Sequence, residues 1–217
     1  CNVVSMLPTA HMYGLMFEVL YELSVGCHVH FLSRLPSPKI IMKALSEVKP
    51  SIVIAVPLII EKIYKNKVKP VLEKAGIKFA LKVPGLDKII IDKIKNELLT
   101  AFGGEFYEVI IGGAAFNKEV EAFFKKMGFP FTVGYGMTEC APVISANVSW
   151  DNKAGSVGKL MPNCEVKVVD EEIWVKGSSV MQGYYQMPDE TAQTLEDGWL
   201  KTGDLGYVDG DGFLFLT

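Results

Sequence analysis

The first two thirds of the chain alternate between short apolar runs and apolar stripes at helical spacing. Residues 3–7, 27–32 and 52–56 are short runs that each predict a strand, and 52–56, which is wholly apolar, predicts a buried one. Over 15–23 and 40–48, apolar side chains instead recur every three or four residues, as on one face of a helix. Strands that alternate with helices pack as a parallel sheet covered by helices. The pattern therefore predicts an α/β fold with a doubly wound, mostly parallel sheet and helices on both faces.

Residues that favour helix ends agree with this interpretation. Ser37 stands directly before Pro38, a pairing typical of a capped helix with proline at its first position. Asn117 precedes a stripe that includes Val120 and Phe124, four residues apart. We expect one helix to begin after each of these polar residues.

The last third of the chain has a different pattern. Short β-rich runs occupy 165–169, 173–176 and 213–216, and Gly, Pro and Asp separate them. Such spacing is typical of a barrel-like sheet. We therefore predict an α/β part, 1–146, and a β-rich part, 147–217, of the same domain.

Composition limits the classes of partner and compartment. The formal charge is -3 at pH 7, whereas nucleic-acid-binding domains usually carry a strong basic excess, so we expect no nucleic-acid partner. The four cysteines show neither metal-ligand spacing nor a disulfide framework, which favours a reducing, cytoplasmic location. The longest apolar run, 52–60, is too short to span a bilayer.

One segment departs from the acidic average. Residues 61–95, here called the basic segment, hold ten lysines and four acidic residues. The default interpretation is a solvated helical face, balanced by acidic surface elsewhere. The alternative hypothesis is attraction to an anionic membrane surface, as a peripheral contact, or to the phosphates of CoA.

The chemistry is concentrated after an apolar run at 129–133, which we predict to be a buried strand. It continues as Gly134-Tyr135-Gly136-Met137-Thr138-Glu139. Two glycines allow a sharp turn and a close approach to a flat ligand. The Tyr135 ring can stack on a base, and the Glu139 carboxylate suits Mg²⁺. Taken alone, the stretch favours a glycine-rich turn followed by a surface glutamate, because such turns are common.

A second cluster of small residues follows the predicted strand 106–111. Its sequence is Gly112-Gly113-Ala114-Ala115. Small residues at the carboxyl end of a strand leave room for a substrate, and they also suit a tight, closely packed turn. Both interpretations stay open on the residues alone.

Four motifs in order cover nearly the whole chain. They are Leu7-Pro-Thr-Ala-His-Met-Tyr-Gly14, the Gly134 to Glu139 stretch, Glu172-Ile-Trp-Val-Lys-Gly-Ser-Ser-Val-Met-Gln-Gly-Tyr-Tyr185 with Pro188-Asp-Glu-Thr191, and Asp197-Gly-Trp-Leu-Lys-Thr-Gly-Asp-Leu-Gly-Tyr-Val-Asp-Gly-Asp-Gly-Phe213. Together they resemble the acyl-adenylate-forming family of acyl-CoA ligases, amino-acid adenylation domains and luciferases. The Gly112 to Ala115 stretch and Cys140-Ala-Pro-Val-Ile144 look most like long-chain fatty acyl-CoA ligases.

The resemblance implies an activity. A carboxylic acid attacks the α-phosphate of ATP to give an acyl-adenylate, and the thiol of CoA then displaces AMP. Its cofactors and substrates are accordingly ATP, Mg²⁺, CoA and a fatty acid. No Ser-His-Asp triad is needed, because the carboxylate is itself the nucleophile, so catalysis rests on positioning and charge stabilisation.

The resemblance also implies roles for named residues on the nucleotide side. Asp204 accepts hydrogen bonds from the ribose hydroxyls, although aspartate is favoured in such a turn in any case. Glu139 holds Mg²⁺, and Thr138 contacts phosphate. Tyr135 stacks on adenine, between Gly134 and Gly136.

On the acyl side, the matching positions are in the first half of the chain. Gly112, Gly113 and Ala114 line the adenine and the acyl carboxylate. His11 lies beside that carboxylate and near the route of the thiol.

The family pattern is incomplete in this chain. We find no Ser/Thr/Gly-rich phosphate loop before Leu7, no Gly-Arg hinge after Thr217 and no C-terminal domain with its catalytic lysine. We therefore expect an enzyme fragment that is inactive alone. Alternatives are an aryl-CoA ligase, an adenylation domain that loads a carrier protein, or a non-catalytic nucleotide-binding module.

Overall fold

The computed structural model describes residues 1–217 and separates into two compact units, Cys1–Phe131 and Thr132–Thr217. The first unit contains strands β1 (Asn2–Ser5), β2 (His28–Phe31), β3 (Ile52–Ala55) and β4 (Glu108–Ile111). Its helices are α1 (Met12–Gly14), α2 (Tyr21–Ser24), α3 (Pro38–Val48), α4 (Pro57–Ile63), α5 (Lys69–Leu72), α6 (Ala75–Ala80), α7 (Leu86–Ala101) and α8 (Lys118–Lys126). The π-helical segments Leu15–Leu20 and Tyr64–Val68 connect α1 to α2 and α4 to α5.

The strands of the first unit form a parallel sheet. β1 pairs with β2 and with β3, and β3 pairs with β4, always in the parallel sense. Parallel strands have their carboxyl ends at one edge, which is where α/β sheets bind ligands. The loops after β1 and β4, with His11 and Gly112, therefore leave the sheet at the same edge. The predicted α/β fold is confirmed.

Both predicted helix starts are confirmed. The Ser37 hydroxyl accepts the Ile40 N–H at 3.4 Å, and Pro38 is the first residue of α3. The Asn117 side chain accepts the N–H groups of Glu119 and Val120 at 2.9 and 3.2 Å, at the start of α8. Each cap satisfies backbone donors that the first helical turn leaves free.

Aromatic rings fill part of the core of the first unit. The ring centroids of Phe124 and Phe129 are 4.7 Å apart, and both side chains are buried. Phe102 packs on Phe129 at 5.7 Å. Such tilted ring pairs bury a large apolar area and are favoured over face-to-face stacking.

The second unit is built from antiparallel strands. They are β5 (Phe131–Gly136), which begins at the last residue of the first unit, β6 (Val143–Ala146), β7 (Lys159–Leu160), β8 (Cys164–Val169), β9 (Glu172–Gly177), β10 (Leu195–Glu196), β11 (Trp199–Val208) and β12 (Leu214–Leu216). β5, β6 and β7 pair in sequence, and β11 pairs with β9, β10 and β12. Helix α9 (Pro188–Thr194) precedes β10. The predicted β-rich region is confirmed, while its start at residue 147 stays a prediction.

The cysteines differ from the sequence-based expectation. Cys1 and Cys27 form a disulfide, although their spacing had indicated none. The parallel pairing of β1 with β2 brings these distant residues together, because Asn2 pairs with His28. Cys140 and Cys164 are free and buried. The cytoplasmic location inferred from the cysteines stays a prediction.

No helix of this chain combines the length and the apolar character that a bilayer span requires.

Candidate active site

Tyr135 and Asp204, which are 69 residues apart in the chain, meet through a short hydrogen bond. The Tyr135 hydroxyl donates to Asp204 Oδ2 at 2.6 Å. Burial raises the pKa of Tyr135, and the hydrogen bond to Asp204 raises it further, so the phenol stays protonated and acts as the donor. The aspartate itself is exposed. The structure thus joins two of the residues that the sequence had assigned to the nucleotide.

The local backbone of β11 fixes the position of Asp204. The pairing of β11 with β9 shifts register between Lys201 and Leu205, as in a β-bulge. Within the bulge, Gly203 has φ +74 and its N–H donates to Glu172 Oε1 at 2.8 Å. The Thr202 hydroxyl accepts the Asp204 N–H at 3.1 Å. These bonds hold the bulged part of β11 that carries the carboxylate.

The predicted sharp turn at Gly134 and Gly136 is wrong, because β5 continues through Gly136. Neither glycine has a positive φ. Glycine is needed at 136 because the backbone there lies close to the segment at Pro142: a Cβ would overlap the Pro142 carbonyl oxygen. The chain turns later, at Ala141, which has φ +52. The stretch therefore keeps Tyr135 on a strand.

Glu139 lies in the 3₁₀ turn Thr138–Cys140 that follows β5. Its carboxylate is half-buried, and Oε1 accepts a hydrogen bond from the Tyr184 hydroxyl at 2.9 Å. This bond raises the pKa of Tyr184. The Met181 N–H donates to the Glu139 carbonyl at 2.8 Å, so the backbone is held as well.

Thr138 and Cys140 are the neighbours of Glu139 in the same 3₁₀ turn. The Thr138 side chain is exposed and takes no part in the Tyr135–Asp204 or Glu139–Tyr184 bonds. Burial raises the pKa of the Cys140 thiol to about 12, so it is protonated at neutral pH and unsuited to act as a nucleophile.

In the first unit, the small residues after β4 lie over a buried tyrosine. A Cβ on Gly112 would be 3.2 to 3.4 Å from atoms of the Tyr13 ring. Gly113 has φ +83, a conformation that side chains disfavour. The Tyr13 hydroxyl donates to the Ile110 carbonyl at 3.1 Å, which fixes the ring in place. Gly112 is buried, and Ala114 is exposed beside it.

His11 has a structural role that the sequence did not indicate. It is the N-cap of α1, and its Nδ1 accepts the Tyr13 N–H at 3.2 Å. The ring proton of the neutral imidazole is therefore on Nε2. The side chain is exposed, at the loop that follows β1.

Sequence reasoning missed two tyrosines. Tyr13 and Tyr184 both lie within the quoted family motifs, yet a tyrosine in a motif carries no sign of its hydrogen-bond partner. Their partners are 97 and 45 residues away, so only the fold reveals them.

Comparison with known proteins identifies the family of this chain. Residues 2–185 match the family described as AMP-binding enzyme. A long-chain-fatty-acid–CoA ligase of Bacillus subtilis (strain 168) is 31% identical over 230 residues, which is 100% of this chain and 36% of the relative. A 2-succinylbenzoate–CoA ligase of Listeria innocua is 33% identical over 183 residues, or 81% of this chain and 38% of the relative. The chain spans little more than a third of these relatives.

Solved structures show the same fold. An o-succinylbenzoate CoA synthetase from Bacillus subtilis, bound to a product analogue, matches with a TM-score of 0.75 at 23% identity, over 100% of this chain and 40% of that one. The same enzyme in complex with ATP and magnesium ion matches with a TM-score of 0.71 at 24% identity, over 99% and 41%. With a family match over most of its length, the chain belongs to the AMP-binding enzyme family.

Proposed function

We propose that this chain is part of the adenylating domain of an AMP-forming acid–thiol ligase that activates long-chain fatty acids and passes them to CoA. The observation that carries the proposal is the Tyr135–Asp204 hydrogen bond, because it couples a ring suited to stacking with a carboxylate suited to a sugar. The alternative of a non-catalytic nucleotide-binding module would share this pair. Acid-dependent pyrophosphate exchange by the intact protein separates the two, because only the ligase forms an acyl-adenylate.

The nucleotide is bound through both members of the pair. Asp204 accepts hydrogen bonds from the ribose hydroxyls, each contributing about 1.5–3 kcal/mol for a charged acceptor. Tyr135 occupies Oδ2 of the aspartate, which limits how the carboxylate can rotate. The tyrosine ring then stacks on the adenine, worth roughly 1–3 kcal/mol. Ribose and base are thereby positioned together.

Magnesium fits the group around Glu139. Mg²⁺ prefers one or two carboxylates together with phosphate oxygens and water. Tyr184 holds Oε1 of the half-buried Glu139, which leaves Oε2 as the other oxygen for a cation. When bound, the ion neutralises charge on the phosphates as pyrophosphate departs. The exposed Thr138 hydroxyl next to Glu139 supplies a phosphate contact.

The acid and the thiol are assigned to the first unit. Gly112, Gly113 and Ala114 provide a surface without bulky side chains for the adenine edge and the acyl carboxylate. His11, with its proton on Nε2, is suited to orient that carboxylate and the incoming thiol of CoA.

Fatty acids are the proposed substrate class because the Bacillus subtilis fatty-acid ligase aligns over the whole chain. An aryl acid is the second candidate, since the 2-succinylbenzoate ligase is similar at 33% identity. A panel of acids tested by pyrophosphate exchange, with the intact protein, Mg²⁺ and ATP, separates them. Medium- or long-chain aliphatic acids should support the fastest exchange. Faster exchange with aromatic or amino acids would contradict the fatty-acid assignment.

The same assay tests whether the 217 residues suffice. We expect them to bind ATP weakly and to release no pyrophosphate in response to acid, because the phosphate loop and the lysine-bearing domain of the family are not among them. Acid-dependent pyrophosphate release above a no-protein control would contradict this expectation.

A further inference from the structure

The basic segment, residues 61–95, holds a charge opposite to that of the remaining chain. Its ten lysines and four acidic residues give it a net charge of +6. The remaining residues include twelve basic and twenty-one acidic side chains, a net charge of -9. The segment lies entirely in the first unit, where it runs from the end of α4 into α7. Positive charge is thus gathered on one group of helices.

Lysines in the basic segment also differ from the others in their partners. None of the ten is in an ion pair, and nine of them are exposed. Outside the segment, six of eleven lysines pair with a carboxylate: Lys43, Lys49, Lys125, Lys153, Lys159 and Lys201. The chain has acidic residues in excess, yet they do not neutralise this segment. Its ammonium groups are available to an external anion.

Large apolar side chains stand among these lysines. Phe79 of α6 is 73% exposed and Ile89 of α7 is 65% exposed. Leu86, three residues before Ile89 and therefore on the same side of α7, is exposed as well. Between 78 and 89 the only acidic residue is Asp87, whose carboxylate accepts the Gly85 N–H at 2.9 Å.

A groove adjoins this surface. It has a volume of about 860 Å³ and lies between the helical run 64–72 and α7. Val68, Val71 and Leu98 contribute apolar walls, with Lys67 and Lys93 beside them. None of the residues assigned to the nucleotide lines this groove, so it is separate from the candidate active site.

We propose that the basic segment docks the protein on an anionic lipid bilayer, with Phe79, Leu86 and Ile89 entering the headgroup region and the surrounding lysines contacting the lipid phosphates. Each lysine near an anionic membrane strengthens binding by roughly fivefold. Interleaved apolar side chains are the second signal that stable interfacial binding needs. No helix spans the bilayer, so the contact is peripheral.

The exposed apolar residues favour a bilayer over a nucleic acid. Lysines alone would suit either polyanion. Leucine and isoleucine gain nothing from phosphates and cannot stack on bases, whereas they do partition into the acyl boundary.

The test measures co-sedimentation of the intact protein with vesicles of phosphatidylcholine containing 30% phosphatidylserine, and with phosphatidylcholine alone. The variant K74Q/K78Q/K82Q removes three charges around Phe79. The control K39Q/K118Q/K126Q removes three unpaired, exposed lysines outside the segment. We expect the first triple to lower the partition coefficient by roughly tenfold to a hundredfold and the control to lower it far less.

A second pair of variants tests the apolar contribution. Phe79→Ala should weaken binding several-fold, while Phe31→Ala, which removes a phenyl ring that is 62% exposed on β2, should not. Unchanged circular dichroism and melting temperature establish that each variant is folded. Equal losses from the two lysine triples, full binding by Phe79→Ala, or no preference for phosphatidylserine would each overturn the proposal.

Discussion

The two units contribute different kinds of group to the proposed activity. In the first unit, the candidate site consists of bare backbone and small side chains, Gly112 to Ala114, supported by the ring of Tyr13. In the second unit, it consists of carboxylates whose orientation is fixed by phenols, Asp204 with Tyr135 and Glu139 with Tyr184.

The first unit therefore contributes the shape of the proposed site, and the second unit contributes its negative charge. If the proposed roles hold, a substitution in the first unit should change which molecules fit, whereas one in the second unit should remove an interaction with the nucleotide or its metal. Removing a charge at a site that acts on phosphate should lower the rate more than a change of fit does, since charge stabilisation is usually the largest catalytic contribution.

Glu139→Gln should have the largest effect. The change keeps the shape of the side chain and removes the charge that Mg²⁺ requires. Stabilisation by a metal ion is worth several kcal/mol in the transition state, so the adenylation rate should fall by about a hundredfold to a thousandfold. Initial-rate kinetics of pyrophosphate release should show this in kcat more than in the KM for ATP. A large increase in KM with an unchanged kcat would mean that Glu139 serves ground-state binding.

Asp204→Asn should come next. Losing a charged acceptor for the ribose costs about 1.5–3 kcal/mol, which corresponds to roughly tenfold to a hundredfold weaker nucleotide binding. Because the ribose contact exists in the ground state and in the transition state, the loss should appear mainly in the KM for ATP. Tyr135→Phe, which keeps the ring and removes the bond to Asp204, is the matched control and should lose less. An unchanged KM in Asp204→Asn would contradict the ribose assignment.

Ala114→Phe tests the first unit. A bulky ring on this exposed position should crowd the acyl side and cost about 1–3 kcal/mol for the longest acids. The rates for a series of chain lengths should therefore shift towards shorter acids. Ala115→Phe, also exposed and one residue further along, provides the comparison. Identical chain-length profiles for wild type and Ala114→Phe would remove Ala114 from the acyl site.

Tyr184→Phe should have the smallest effect. It removes one hydrogen bond to Glu139, worth about 0.5–1.5 kcal/mol, and leaves the carboxylate in place. We expect the Mg²⁺ concentration for half-maximal rate to rise a few-fold. Tyr185→Phe, at an exposed neighbouring tyrosine, should leave it unchanged. Equal Mg²⁺ dependence in the two variants would show that Tyr184 does not orient Glu139.

The sequence predicted structural elements well where interactions between residues close in the chain determine them. The caps at Ser37 and Asn117 follow from short-range hydrogen bonds, and both are found. The turn at Gly134 was wrong because a glycine permits both a turn and a close strand contact, and only the pairing with β6 selects the second.

Contacts between residues far apart in the chain could not be predicted from the sequence. The disulfide between Cys1 and Cys27 and the bond between Tyr184 and Glu139 depend on strand pairing and on the path of the chain after β9. Motifs identified Glu139 and Asp204 as candidates, but they carried no information about which phenol would hold each carboxylate.

The central claim is that Glu139 serves only the first half-reaction whereas Asp204 serves both, and supplying a preformed acyl-adenylate tests it most directly. Thioester formation from ATP, acid and CoA is compared with formation from a synthetic acyl-adenylate and CoA, for Glu139→Gln and Asp204→Asn in the intact enzyme. AMP is still bound in the second half-reaction, whereas pyrophosphate has already left. The preformed adenylate should therefore partly rescue Glu139→Gln and should not rescue Asp204→Asn. Losses in the same proportion in both assays, for both variants, would contradict the separate roles.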